Sequence, residues 1–313
     1  MKEAASIGVP RAGVARRRAR LRRLLRPATG YLLTAPALIY ILLLVGYPFL
    51  LSLYFSFNRV SIGGSYEGLV GLRNYTSLLA NPVFQRAFSN TLLFAFFGEI
   101  AKAVLGIGLA FLLLQPLRAK KAVRALVMLP WTLPFALSLL GWQWMYDPEF
   151  SVINYVIAHL HVMRPPYPDW LGDPLWSFIA ILAVNIWRGF PFAGVIILAG
   201  LTSIPSDILD AARVDGAGFF RTWHFVITPM IAPILFIGLI FDVTFTLGDL
   251  TAVFLLTQGG PGFSTQTLPM MAWQVGVVGG NLGAGSAITL FLFPFLLIGV
   301  TIFLRMLYRR ESV

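Results

Sequence analysis

The chain has 313 residues, of which 58% are hydrophobic and 12% are charged, and its mean hydropathy is +0.78. Soluble domains carry about a quarter of charged residues, so this composition excludes an ordinary soluble enzyme and indicates an integral membrane protein. The formal net charge is +11. No cysteine is present, which excludes disulfides, thiol catalysis and cysteine-based metal sites.

Six apolar segments are each long enough to cross the hydrocarbon layer, which takes about 20 residues of helix. They leave no room for a soluble catalytic domain, so we predict an all-α, polytopic membrane protein with six transmembrane helices. The predicted domains are a basic N-terminal tail (1–30), a membrane domain (31–308) and a short C-terminal tail (309–313). In chain order, the predicted spans cover residues 31–57, 88–114, 125–146, 176–200, 228–256 and 284–307.

Positive charge is distributed unevenly between the two sides that these spans define. Of the 24 Lys and Arg residues, 18 fall in the N-terminal tail, the 115–124 loop, the segment before the fifth span and the C-terminal end. Four fall in the opposite loops, and the other two, Lys102 and Arg188, lie inside spans. Because cytoplasmic loops carry the excess of Lys and Arg, we place both termini in the cytoplasm. The charge is thus a topology signal, and no nucleic-acid partner is expected.

One polar segment, residues 203–229, lies between the fourth and fifth spans on the cytoplasmic side. Its start, Ile204-Pro205-Ser206-Asp207, has the proline and the early acid of a helix N-terminus. Asp215-Gly216 is typical of a helix end, because glycine readily takes a positive φ. We predict a bent helix pair whose second helix covers 217–226, with Pro229 starting the next span. We expect such a segment where another protein, outside the membrane, binds this one.

The sequence of this segment resembles the EAA loop of ABC importer permeases. That pattern runs Glu-Ala-Ala, three residues, Gly, nine residues, an aliphatic residue, one more, and then Leu-Pro. Two positions depart from it, because Asp210 replaces the Glu and Thr228 replaces the Leu. An ordinary amphipathic connector is a poor alternative, since six positions match at the right spacing. The matching residues are Asp210, Ala211, Ala212, Gly216, Val226 and Pro229.

Weaker resemblances extend over the rest of the chain after the basic tail. They are to the sugar permeases related to the larger maltose permease subunit, and they occur in that family's order. The segments concerned are 31–36, 47–48, 71–75, 124–148, 187–192 and 256–261.

The resemblance implies a prokaryotic cell-membrane permease that is driven by ATP hydrolysed on other subunits. The implied partners are a second homologous permease subunit, two cytoplasmic ATPase subunits that hold ATP and Mg, an external solute-binding protein, a sugar substrate and the lipid bilayer. No cofactor is expected on this chain. It has no Walker Gly-rich loop, so we expect a transport subunit without its own ATPase site. We name residues 203–229 the coupling segment, and its expected ATPase-coupling residues are Asp210, Ala211, Ala212, Asp215, Gly216, Ala217 and Pro229.

Polar residues inside spans are costly in hydrocarbon, so they usually face the bundle interior or a wet cavity. In the fifth span, Asp242, Thr246 and Asp249 recur at i, i+4 and i+7, which places them on one helical face. Carboxylates and hydroxyls suit the hydroxyls of a sugar, so we interpret this face as part of the substrate path. The alternative is that the two acids pair with Lys102 or Arg188 only to hold the bundle together.

In the resembling family, residues of the fourth and fifth spans line the substrate site. A free Arg188 would favour a phosphorylated polyol such as glycerol phosphate, whereas an Arg188 neutralised by Asp242 or Asp249 would favour a neutral sugar. The path positions carried over are Asn185, Arg188, Gly189 and Phe192 in the fourth span, and Asp242, Phe245 and Thr246 in the fifth.

The second span contains a further charged pair, Glu99 and Lys102, at i and i+3. Mutual neutralisation is favoured over a proton or ion relay. The three histidines show no metal-ligand spacing backed by acids.

The predicted function is the permease subunit of an ATP-driven, binding-protein-dependent carbohydrate importer that works by alternating access. The alternative is an ion-coupled secondary carrier that uses Glu99, Lys102, Asp242 and Asp249 as its relay. A secondary carrier has no use for the coupling segment and tends to contain paired internal repeats, of which the two halves show no convincing sign.

Overall fold

The computed structural model describes residues 31–63, 66–116 and 118–311. The chain divides into two compact units, residues 1–54 and 55–313. The described part of the first unit, residues 31–54, belongs to helix α1 (Tyr31–Ser56). The predicted basic tail lies outside the described residues.

Helices dominate the described chain, and one antiparallel hairpin accompanies them. The hairpin pairs β1 (Asn58–Val60) with β2 (Tyr66–Leu69). The helices after α1 are α2 (Arg73–Leu79), α3 (Pro82–Leu114), α4 (Lys120–Thr132), α5 (Phe135–Met145), α6 (Val152–His159), α7 (Pro174–Thr202), α8 (Ser206–Val214), α9 (Phe219–Thr222), α10 (Thr228–Leu247), α11 (Thr251–Leu256), α12 (Leu268–Ala272), α13 (Leu282–Leu290) and α14 (Phe293–Glu311).

Within the described residues, five helical segments are long and apolar enough to cross a membrane, and a bent pair makes up to six. The prediction of an all-α, polytopic membrane protein is therefore confirmed. The five segments are Tyr31–Ser56, Pro82–Leu114, Pro174–Thr202, Phe219–Leu256 and Leu282–Ile302.

The second and fourth spans start earlier than predicted because polar caps and prolines begin their helices. The Val83 amide donates to Asn81 Oδ1 over 2.8 Å at the start of α3. At the start of α7, Asp173 Oδ1 accepts from the amides of Leu175 (2.9 Å) and Trp176 (3.1 Å). A proline follows each cap, in the first helical position that tolerates it.

The third predicted span, over 125–146, is formed by two helices and not by one. Helices α4 and α5 meet at a bend of 90°. Leu133 between them is extended, with φ −67° and ψ 144°, and Pro134 follows it. A proline disfavours helical geometry in the residue before it and donates no backbone hydrogen bond. The chain therefore turns here, and the third span is a broken one.

The prediction that a separate helix over 217–226 ends before Pro229 is wrong. Helix α9 begins at Phe219 and continues through a π turn, Trp223–Ile227, directly into α10. Pro229 lies in the first turn of α10. The wider π turn accommodates the hydrogen bond that a proline cannot donate. The coupling segment therefore runs without a break into the fifth span.

The predicted helical face of the fifth span is interrupted. Helix α10 ends at Leu247, and Asp249 lies in the break before α11. Its Oδ1 accepts a hydrogen bond from the Thr251 amide over 2.9 Å, which caps α11. Asp242 and Thr246 share a face of α10, whereas the i+7 position of Asp249 is not helical.

Helices α3 and α7 pack most extensively, and α10 packs against both. Their contact buries small and branched side chains, among them Ala110, Leu113, Ile197 and Ile231. Between helices surrounded by lipid there is little hydrophobic driving force, so close van der Waals packing stabilises such a contact. This three-helix unit carries the polar side chains of the spans.

Two elements were not predicted: the β1–β2 hairpin, and an apolar helical stretch, Leu268–Val278, between the fifth and sixth spans. The turn that precedes this stretch is fixed to α3. Asn90 Nδ2 donates to the carbonyl oxygens of Phe263 (3.2 Å), Ser264 (2.9 Å) and Gln266 (3.0 Å). Both elements lie at the end of the bundle opposite the coupling segment.

Candidate functional site

Lys102 is the centre of a buried charge cluster between α3 and α10. Its side chain is 1% exposed. Its Nζ lies 2.6 Å from Glu99 Oε1 and 2.9 Å from Asp242 Oδ2. The Glu99 pair lies within α3, whereas the Asp242 pair joins α3 to α10. An ammonium group this deeply buried requires such partners, because charge is costly away from water.

The hydroxyl group of Thr246 makes hydrogen bonds to two members of the cluster. Lys102 Nζ donates to Thr246 Oγ1 over 2.8 Å, and Thr246 Oγ1 donates to Glu99 Oε1 over 2.9 Å. The hydroxyl proton and one oxygen lone pair are therefore both engaged within the protein. Thr246 thus belongs to the ion-pair scaffold that the sequence analysis kept open as the alternative for this face.

Gly189 of α7 allows the Lys102 side chain to reach the cluster. A Cβ atom added at Gly189 would collide with Lys102 Cδ. The lysine stem therefore crosses the backbone of α7 at a point where no side chain can be present. The family resemblance had assigned Gly189 to the substrate path, and the structure gives it this contact.

A small cavity of about 20 Å³ lies beside the cluster, and we call it the polar cavity. This is room for about one water molecule. Two buried oxygen atoms at its wall, Asn185 Oδ1 and Asp249 Oδ2, have no hydrogen-bond partner among the described residues. The cavity is lined by Lys102, Trp131, Asn185, Arg188, Gly189, Asp242, Phe245, Thr246 and Asp249.

Arg188 in this cavity is stacked on aromatic rings. Its guanidinium carbon lies 3.9 Å from the centroid of the Phe135 ring and 5.8 Å from that of Trp131. Cation–π contacts of this kind stabilise a guanidinium that is away from water. In the described part of the chain, no carboxylate lies within salt-bridge distance of Arg188.

The structure brings seven of the eight predicted path residues together around the polar cavity. The exception is Phe192, which lines a different cavity. Its ring stacks on Trp131 with centroids 4.6 Å apart and an interplanar angle of 14°. Trp131 and Phe135, which the sequence analysis did not select, come from the two arms of the broken third span.

The cavity that Phe192 lines is larger and mainly apolar, with a volume of about 330 Å³, and we call it the apolar cavity. It extends along α3, α7 and α10 from Lys102 and Asp242 toward Trp223 and Thr228 at the end of the coupling segment. Only its end at the charge cluster carries charged side chains.

The coupling segment ends its first helix in a Schellman motif, and Gly216 supplies the left-handed residue. Its φ is +72°. The Ala217 amide donates to Ala212 O over 2.9 Å, and the Gly216 amide donates to Arg213 O over 3.0 Å. These are the two hydrogen bonds that satisfy the last carbonyl groups of a helix. The predicted helix start at Ser206 and the predicted end at Asp215-Gly216 are both confirmed.

The outer surface of the coupling segment is exposed and partly apolar. Val214 is 87% exposed and Phe220 is 84% exposed. Asp210 pairs with Arg213 over 2.7 Å, and both side chains are exposed. Ala212 is buried against the bundle, whereas Pro229 lies apart from the other coupling residues, in the first turn of α10.

Comparison with known proteins decides the family. Residues 102–313 match the model of the binding-protein-dependent transport system inner membrane component. The chain belongs to this family. It is 30% identical over 283 residues to the trehalose/maltose transport system permease protein MalF of Thermococcus litoralis, with 90% of this chain and 95% of the relative covered. It is 32% identical to the sulfoquinovosyl glycerol transport system permease protein SmoG of Agrobacterium fabrum, with 90% of each chain covered.

Solved structures agree with this family at the level of the fold. A bacterial ABC transporter involved in the import of the acidic polysaccharide alginate aligns with a TM-score of 0.74 at 21% identity. The alignment covers 93% of this chain and 99% of that chain. The prediction of an ABC importer permease, a transport component and not an enzyme, is therefore confirmed, and the ion-coupled secondary carrier is ruled out.

Sequence analysis of this permease missed the central role of Lys102. It paired Lys102 with Glu99 and kept a pair between Lys102 and an acid of the fifth span only as the alternative to a substrate path. It did not choose between Lys102 and Arg188 as the partner of each acid, because both cations lie inside predicted spans. The contact with Asp242 depends on tertiary packing of α3 against α10, which no local pattern encodes.

Proposed function

We propose that this permease imports a neutral carbohydrate and that the polar cavity contacts it. The observation that carries this proposal is the pair of unpartnered buried acceptors, Asn185 Oδ1 and Asp249 Oδ2, beside aromatic rings. Sugar hydroxyl groups are donors that satisfy such acceptors, and aromatic faces pack on sugar rings. Buried acceptors without partners are costly, so a ligand that supplies donors gains affinity there.

In the described part of the chain Arg188 has no carboxylate within salt-bridge distance, which taken alone favours a phosphorylated polyol, but the charges around the cavity favour neutral cargo. The cavity is lined by two carboxylates (Asp242 and Asp249) and two cations (Lys102 and Arg188), so the formal charges of its lining balance. Lys102 is already paired with Asp242 and with Glu99, which lies outside this lining. A phosphate group would add uncompensated negative charge beside Asp242 and Asp249, and such like-charge contacts are unfavourable.

The proposed partners are those of an importer. A second permease subunit completes the path, since 20 Å³ holds no sugar. Two ATPase subunits dock on the exposed face of the coupling segment, through Asp210 and the apolar side chains around Gly216. A solute-binding protein delivers cargo at the opposite end of α7. Both termini and the coupling segment lie in the cytoplasm, as the distribution of Lys and Arg supports.

Asp249→Asn tests the cargo contact. The substitution keeps the Oδ1 that caps α11 and replaces the unpartnered Oδ2 with an amide donor. We expect the KM for sugar uptake to rise by roughly 5- to 150-fold, which corresponds to about 1–3 kcal/mol for an unsatisfied hydrogen-bonding group. Uptake is measured in vesicles that contain the complete transporter and its binding protein, with trehalose, maltose and glycerol phosphate as cargo.

Thr244→Val is the control, because Thr244 lies in the same span, donates its hydroxyl to Ile240 O over 2.7 Å and lines neither the polar cavity nor the cavity of Phe192. It should leave the KM unchanged. An unchanged KM in Asp249→Asn would remove the polar cavity from the cargo path. Preferred uptake of glycerol phosphate over both disaccharides would contradict the neutral-sugar proposal.

A further inference from the structure

The Lys102–Asp242 ion pair separates the two cavities. The polar and apolar cavities share only these two residues in their walls. The polar cavity extends from them along α7 toward Asn185 and along the fifth span toward Asp249. The apolar cavity extends the other way, toward the coupling segment. A solute that passes from one cavity to the other along α10 must therefore pass the ion pair.

The two carboxylate partners of Lys102 differ in where they are attached. Glu99 lies on the same helix as Lys102, so their 2.6 Å contact survives any rigid movement of α3. Asp242 lies on α10, so its 2.9 Å contact breaks when α3 and α10 separate. Because Glu99 remains with the lysine, separation of the helices does not leave Lys102 buried without a counter-charge.

We infer that Lys102 is the gate residue of the permease. Its ion pair with Asp242 holds the gate closed, and Glu99 neutralises the lysine when the gate is open. In the closed state Lys102 bridges α3 and α10 through Asp242 and through the Thr246 hydroxyl. In the open state it retains Glu99 alone. Gly189 is required because the lysine stem crosses α7 at this position. This inference rests on the proposed function, since it assigns the gate of the same path.

Thiol labelling tests the gate, and the absence of native cysteine makes it clean. Asn185→Cys reports on the polar cavity, and Ala193→Cys on the same helix reports on the apolar cavity. The complete transporter is reconstituted without nucleotide. A membrane-impermeant methanethiosulfonate reagent is then added from the side of the coupling segment. With the native cluster, we expect rapid labelling at Ala193→Cys and slow labelling at Asn185→Cys.

Two isosteric variants then give opposite predictions. Asp242→Asn removes the charge that joins the helices. Glu99→Gln removes the charge within α3, and its side-chain oxygen can still accept the hydrogen bond from the Thr246 hydroxyl of α10. Each leaves Lys102 one carboxylate partner, so the two variants are matched in charge. We expect Asp242→Asn to accelerate labelling of Asn185→Cys by about tenfold or more, the change expected for loss of one hydrogen bond to a charged group. Glu99→Gln should leave that rate at or below its native value.

A second readout needs no introduced cysteine. Liposomes that contain the complete transporter are loaded with radiolabelled sucrose, and efflux is followed without ATP. Asp242→Asn should leak, whereas Glu99→Gln should retain the sugar. Equal rates in both variants, in either assay, would overturn the gate and leave the cluster as a scaffold. If the two variants give equal rates but Asp249→Asn still raises the KM for uptake, the gate is overturned and the proposed function stands. The two failures are therefore distinguishable.

Discussion

The permease contains two carboxylate–cation pairs with the same spacing and nearly the same length. Glu99 and Lys102 are i, i+3 on α3 and lie 2.6 Å apart, with side chains 12% and 1% exposed. Asp210 and Arg213 are i, i+3 on α8 and lie 2.7 Å apart, with side chains 62% and 75% exposed. The two pairs therefore have the same sequence spacing and nearly the same distance, and they differ in how deeply their side chains are buried.

This difference in burial decides what each pair can do. Removing one partner of a buried pair leaves an uncompensated charge and costs about 3–5 kcal/mol. An exposed pair contributes about 0–1 kcal/mol, because water solvates either partner alone. The buried pair is therefore fixed to its neighbours. The exposed pair can exchange partners at little cost, which suits a surface that binds another protein.

The largest expected effect is at the buried pair. Lys102→Met would leave Glu99 and Asp242 together in a buried site without a cation. We expect a loss of stability of about 3–5 kcal/mol, seen as a lower Tm of the detergent-solubilised protein and a lower yield of assembled transporter. Thermal unfolding followed by size-exclusion chromatography measures both quantities.

A triple variant separates charge from shape in that experiment. Lys102→Met combined with Glu99→Gln and Asp242→Asn removes all three charges and keeps the side-chain volumes close to native. It should recover most of the lost Tm, because uncharged replacements for a buried ion cluster are often tolerated. An equally low Tm in the triple variant would mean that the lysine stem, and not its charge, stabilises the contact.

An intermediate effect is expected at the end of α8. Gly216 has φ +72°, and a Cβ added there meets no atom within 4 Å. Gly216→Val is therefore strained only through its backbone, by about 1–2 kcal/mol. The variant should insert into the membrane at a normal level but lose ligand-stimulated ATPase activity in the reconstituted complex, because the coupling segment changes its bend.

Gly218 provides the control, since it also has no neighbour within 4 Å of an added Cβ but has φ −68°. Gly218→Ala should keep normal ATPase stimulation. Gly216→Asn should keep part of it, because asparagine tolerates the left-handed region better than valine. Normal stimulation in Gly216→Val would show that the shape of this turn is not needed for coupling.

Local chemistry accounts for the parts of the fold that sequence analysis predicted. The spans follow from uninterrupted apolar length, and the helix start at Ser206 and the end at Gly216 follow from capping preferences. The broken third span was missed because its apolar length is continuous, although Pro134 was visible in the sequence. The break at Gly248 was missed because the i+7 spacing of Asp249 was interpreted as part of one continuous helix. Instead, the Asp249 side chain caps a new helix, α11.

The candidate site was only partly accessible from sequence for a different reason. Cost in hydrocarbon and the family resemblance together named eight path residues, and seven of them lie around one cavity. Which charge contacts which partner depends on helix packing, so the sequence offered the Lys102–Asp242 pair among several but could not select it. Phe192 lies outside that group because it lines the apolar cavity, where its ring stacks on Trp131.

The smallest expected effect on stability is at the exposed pair, and it gives the sharpest test of coupling. Asp210→Ala should leave the Tm of the permease almost unchanged, since an exposed pair contributes about 0–1 kcal/mol. A large loss of ATPase co-purification or of turnover would then have to come from a contact outside this chain. Asp210→Glu should preserve both, because it keeps the charge and restores the residue of the EAA pattern.

Arg213→Ala decides whether Asp210 acts on a partner or only on its own helix. Arg213 contacts the Asp210 carboxylate over 2.7 Å, so an intrahelical role predicts the same loss in Asp210→Ala and Arg213→Ala. A partner contact predicts different results, because Arg213→Ala leaves the carboxylate present and free to accept a charge-assisted hydrogen bond from the ATPase. We therefore expect turnover to fall in Asp210→Ala and to persist in Arg213→Ala. Equal turnover in the two variants would reduce Asp210 to an exposed acid that stabilises α8.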